Sequence, residues 1–85
     1  MRTSEIIMSI DSDLRRKWDI TSAPRGDDYI KFILDMANMI VEFIDLDDLK
    51  ENFEKIYKEL EDYNFHMANH AIEMVVNLDR YSGRS

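Results

Sequence analysis

The chain reads as all-α, a compact four-helix up-down bundle, on three observations. Apolar residues recur at three- and four-residue spacing through four segments. Two glycines, one proline and few β-branched polar residues make an all-β chain improbable. No cysteine is present to form a disulfide or a thiolate metal site, and the 45% hydrophobic content suffices to build a core from apolar side chains alone. Eighty-five residues make a single domain, expected over 1–81, with 82–85 as a frayed tail.

The first helix is predicted over 4–18. Ile6, Ile7, Ile10, Leu14 and Trp18 share one face, and Thr3 or Ser4 is placed to cap it. Glu5 suits the positive start of the helix, and Asp11–Arg15 and Asp13–Lys17 form i,i+4 pairs on its outer face. The cluster Arg15-Arg16-Lys17 complements the helix C-terminus and is too short for a nucleic-acid patch. Residues 19–26 hold the only proline and one glycine, which marks the main loop.

The second helix is predicted over 27–44. Its polar residues Lys31, Asp35, Asn38, Glu42 and Asp45 form a narrow stripe and the rest is largely apolar, the pattern of a central element packed on most sides. The third, over 46–63, has Asp45 as N-cap and Ile44 and Leu49 as a hydrophobic staple. Its apolar seam runs Leu46, Leu49, Phe53, Ile56, Tyr57, Leu60 and Tyr63, with Glu51–Lys55 and Glu54–Lys58 as supporting pairs. Asn64 tolerates the left-handed conformation that ends helices. The fourth helix follows over 65–80, with Met67, Ala68, Ala71, Ile72, Met74, Val75, Val76 and Leu78 as a wide apolar face and His66, Asn69, His70, Glu73, Asn77 and Arg80 as the polar remainder. Short connections make the last three helices antiparallel neighbours, with the second and fourth as the core.

Targeting signals are not expected. Ile6, Ile7, Met8 and Ile10 are interrupted by Ser9 and followed by Asp11 and Asp13, so no signal-peptide core forms, and the apolar stretch 29–44 is too short and too charged to span a bilayer. A cysteine-free chain without such signals fits the cytoplasm.

The net charge of −7 is unevenly spread. Residues 1–25 carry four acids and five bases, residues 26–44 four acids against Lys31, and residues 45–62 eight acids against three lysines. This field repels nucleic-acid backbones and steers basic partners inward. The acidic run is read either as a solvated face that keeps the protein soluble or as a docking surface for a basic protein. Concentration of the acids in one element, with Tyr57, Tyr63 and Phe65 nearby, brings docking level with the solvated-face reading, although these aromatics also fit the core seam, Tyr57 most of all.

Catalysis is not expected. There is no cysteine, no serine lies in a nucleophile-elbow or Ser-x-x-Lys context, and the glycines are too few for a phosphate-cradling loop. His66 and His70 lie four apart, a spacing able to place two imidazoles on one metal with Glu73 a turn further on. Membership of an ordinary polar stripe explains them without a ligand, so no metal or cofactor is expected.

In size, helix order, the acidic helix beginning Asp45-Leu46-Asp47-Asp48-Leu49 and the patch Glu61-Asp62-Tyr63, the chain resembles the small immunity proteins that bacteria make against nuclease toxins. It resembles the four-helix colicin type and, more loosely, helical immunity proteins of contact-dependent toxin systems; the paired-tyrosine segment of the colicin DNase inhibitors is absent. The resemblance implies a tight one-to-one inhibitor that masks the basic active or substrate-binding surface of a toxin, with Asp47, Asp48, Glu51, Glu54 and Tyr63 as contacts. Asp27, Asp28, Asp45, Glu61 and Asp62 complete the candidate partner-binding set. A phage-encoded inhibitor of a host enzyme needs the same surface. An alternative from a different class is a self-assembling homodimer, in which a second copy covers apolar surface that four helices leave open.

Overall fold

Helix α1 (Thr3–Trp18) is preceded by Arg2 in extended conformation, without a side-chain cap hydrogen bond. The computed structural model that shows this describes residues 2–82, with side chains through Leu78. Ser4, expected as a cap, is inside the helix and buried, and its hydroxyl donates instead to the Glu59 carboxylate. Ile7, Ile10 and Leu14 are buried as the period predicts, while Ile6 and Trp18 are partly buried. Asp11, expected on the outer face, is only 2% exposed, because it lies on the same arc as Ile7 and Leu14. The Arg15 guanidinium covers one of its oxygens at 2.7 Å, and the other is buried without a partner. Asp13 pairs with Arg16 at 3.1 Å rather than with Lys17, on an exposed surface where such a pair contributes little. The helix ends at Asp19 in the left-handed region (φ 56), where the Ile20 N–H closes on the Arg15 carbonyl.

Gly26 opens α2 (Asp27–Phe43) with φ 61 and ψ −133, a conformation that strains any residue with a Cβ. Asp27 and Asp28 lie in the first turn, where the helix dipole favours acids. Phe32, Ile33, Met36, Ala37 and Ile40 are buried. The Trp18 ring packs edge-on against Phe32, and its indole N–H donates to Asp35 at 3.1 Å, locking α1 to α2. Ile44 is extended and ends the helix. Asp45 then caps α3 (Leu46–Glu51), its carboxylate accepting from the Asp47 N–H at 2.9 Å.

The helix expected over 46–63 is two helices, so the described chain has five. Asn52 leaves helical geometry (φ −109, ψ 19), and α4 (Phe53–Asp62) starts after it. At the break the Asn52 side-chain amide donates to the Asp48 carbonyl at 3.1 Å, competing with the ordinary helical bond that its backbone N–H makes to the same oxygen. Asn64 (φ 64) turns the chain after α4, and the Phe65 N–H reaches back to the Leu60 carbonyl at 2.8 Å.

Helix α5 (His66–Ser82) buries Met67, Ala68, Ala71, Ile72, Val75 and Val76. It extends past the expected end at Arg80; the rest of the expected tail, 83–85, lies outside the described residues. Asn69, assigned to the polar stripe, is buried, with its carbonyl oxygen unpaired. The α2–α5 pair is the most extensive packing in the molecule, and α1 touches α2, α4 and α5. The radius of gyration, 12.5 Å, is near the value of about 12 Å for a folded chain of this length.

One expectation for α2 fails: it is not packed on most sides. Ile30, Leu34, Val41 and Phe43 are 56%, 44%, 52% and 63% exposed.

Candidate functional site

The acids of the third segment are presented by a broken arm. Asp45, Asp47, Asp48 and Glu51 cluster on the cap and the single turn-and-a-half of α3, and Glu54 follows in the first turn of α4. All five are exposed, whereas Leu49, Ile56 and Leu60 of the same arm are buried. Lys50, Lys55 and Lys58 are interspersed, so the face is acidic in sum rather than in every residue.

Glu61, Asp62 and Tyr63 form a second exposed group at the far end of α4, with Tyr63 65% exposed and thus outside the core seam to which its spacing assigned it. Asp27 and Asp28, in the first turn of α2, lie toward the same end of the molecule. The Tyr29 ring meets His70 edge-on at 6.1 Å, which brings the starts of α2 and α5 to one end of the molecule, and α5 starts just after Tyr63. Sixteen residues of helix separate Asp27 from the α2 end that precedes Asp45, about 25 Å at 1.5 Å per residue. The candidate residues are therefore divided between the two ends of α2 rather than gathered in one patch.

A groove of about 450 Å³ between α4 and α5 adjoins the first group, lined by Phe53, Glu54, Tyr57, Glu73, Val76 and Asn77. Phe53 and Tyr57 stand 5.8 Å apart and form its aromatic wall. The Glu73 carboxylate raises the Tyr57 hydroxyl above its ordinary pKa of 10.0, first by hydrogen bonding and then by its charge. Aromatic faces beside the carboxylates of Glu54 and Glu73 suit a cationic side chain. Sequence reading placed Tyr57 in the core and Glu73 in a passive stripe. The signal for their pairing was that each lies on the edge of its helix's apolar arc.

The three residues with metal-ligand spacing do not converge. His70 turns to Tyr29 on α2, Glu73 acts on Tyr57 of α4, and His66 is exposed. Among the described residues no group of three or more His, Cys, Asp or Glu side chains is placed to hold a metal ion. No helix among them is long and apolar enough to cross a membrane.

Comparison with known proteins yields no match: no family model fits the chain, and neither a curated protein nor a solved structure matches it.

Proposed function

We propose that the chain is a small acidic binding protein that neutralises a basic protein, most simply a toxin or nuclease, by covering its active or substrate-binding surface. The observation that carries this is the exposed acidic flank Asp45, Asp47, Asp48, Glu51 and Glu54 bordering the aromatic groove of Phe53 and Tyr57. Charge on the flank steers a basic surface inward, and a lysine or arginine of that surface enters the groove between Tyr57 and the carboxylates. Glu61, Asp62 and Tyr63, with Asp27 and Asp28, supply a second point of contact for a partner large enough to span the molecule. In this reading the scaffold is an up-down bundle whose third arm is α3 and α4 together, acting in the cytoplasm without catalysis or a cofactor. An inhibitor of a host enzyme made by a phage would use the same flank, and the partner's identity separates the two.

The test is capture from the lysate of the source cell, beside a variant carrying Asp47→Asn, Asp48→Asn, Glu51→Gln and Glu54→Gln. The proposal expects one basic protein retained by the wild type, lost with the variant, and inhibited at one-to-one stoichiometry. Equal retention by both proteins, or capture without inhibition, contradicts it.

A further inference from the structure

The open side of α2 has a regular construction. Ile30, Leu34, Ala37 and Val41 follow one another at four, three and four residues, so their side chains share one narrow arc. Three of them are about half exposed, and Ala37 lies on the arc at its buried edge. Trp18 against Asp35 fixes one flank of α2 toward α1, and Tyr29 against His70 ties the helix to α5. Along α5 the residues His70, Met74 and Leu78 lie one turn apart on one edge, and Leu78 is 58% exposed. Aliphatic surface is thus present on both helices of the most extensive pair.

We infer that this stripe is the two-fold interface of a homodimer, in which α2 packs antiparallel on the α2 of a second copy. The register follows from the residues. With a dyad between Leu34 and Ala37, Ile30 lies opposite Val41 of the other copy, and the two Leu34 side chains flank the dyad. Two-fold symmetry makes the Ile30–Val41 contact twice over.

Charge on the outer flank of the stripe selects the second copy over an unrelated partner. Lys31, Asn38 and Glu42 lie together on that flank, and all three are exposed. In the antiparallel register Lys31 falls between Asn38 and Glu42 of the other copy, and the reciprocal pair forms on the other side of the dyad. Lys31 and Glu42 stand 11 residues apart in one helix, about 16 Å, so they cannot meet within a chain. Among the described residues neither has an ion-pair partner in its own chain. The stripe therefore carries opposite charges at the two positions that an isologous pairing brings together. The groove of α4 and the dimer stripe lie on different edges of α5, so the inference is independent of the acidic flank.

Sedimentation of the full chain over a range of concentrations tests this. The wild type is expected to be a dimer, and Leu34→Glu a monomer with unchanged helical circular dichroism. Lys31→Glu and Glu42→Lys should each weaken the dimer about tenfold, as loss of an interfacial charge pair does. The double variant Lys31→Glu/Glu42→Lys should recover it. A wild type that stays monomeric at the highest attainable concentration overturns the inference. So does a double swap that fails to recover the dimer, a result that does not depend on how Leu34→Glu folds.

Discussion

The α3–α4 flank and the open side of α2 are both exposed faces of amphipathic helices, yet they present water with opposite chemistry. The flank displays acids, which water solvates well, so it is stable whether or not anything binds it. The α2 stripe displays Ile30, Leu34 and Val41 at about half exposure. Full burial of such a side chain stabilises by about 1.5–3 kcal/mol, so the stripe leaves on the order of 3 kcal/mol unrealised in each chain. The difference teaches which face demands a partner. An aliphatic stripe gains from any cover of the right shape, whereas an acidic flank gains only from a surface of opposite charge.

The largest effect expected of a substitution separates the core under the flank from the flank itself. Leu60, fully buried in α4, should lose about 3 kcal/mol of stability on Leu60→Ala, measured by chemical denaturation, through the cavity it leaves. Smaller, and specific to the stripe, is Leu34→Ala. If the inferred dimer forms, it should lower the melting temperature of a concentrated sample and leave a dilute one nearly unchanged, with an apparent difference of about 1 kcal/mol. Equal loss at both concentrations would show that the stripe is already covered within the chain.

Next comes the junction that aims the flank. Asp45→Ala removes the acceptor of the Asp47 N–H and should cost about 1 kcal/mol in denaturation, while Asp45→Asn should cost much less. Neutralising Asp47, Asp48, Glu51 and Glu54 one at a time should shift stability by no more than about 0.5 kcal/mol each, because exposed charges contribute little to folding. A large loss from any of them would mark that residue as structural and break the contrast between flank and core.

The last prediction concerns pH. Tyr57 has a folded pKa above its ordinary value, so its contact with Glu73 stabilises the fold fully below pH 10 and loses that contribution as pH rises through the folded value. Alkaline titration of tyrosinate absorbance should show a late-ionising component that is absent in Tyr57→Phe and shifted back toward the ordinary value in Glu73→Gln.

Helix positions were legible because the apolar spacing and the end signals agree: Asp45 caps and Asn64 turns left-handed where the residue types say they should. The break at Asn52 was not legible. Leu46, Leu49, Phe53, Ile56 and Leu60 keep helical spacing across it, and one asparagine bonding back to the Asp48 carbonyl leaves no mark in that period. Asp11 shows a different failure. Its spacing to Arg15 reads as a surface pair, although its spacing to Ile7 and Leu14 places it on the buried arc, and tertiary packing decided between them. For α2, apolar residues around most of the helix look the same whether neighbours cover every side or leave one open. The acids of the candidate site were visible as residues, but their division between two ends of α2 required the packing of α2 against α5.

The most direct measurement of the central claim is the association rate of the captured basic partner with wild-type and flank-neutralised chain across a range of salt concentrations. The account predicts a rate that falls steeply with salt for the wild type, and a slower rate that is nearly flat with salt for the variant carrying Asp47→Asn, Asp48→Asn, Glu51→Gln and Glu54→Gln. Identical rates and identical salt slopes for the two proteins would contradict it and leave the flank as a solubility surface.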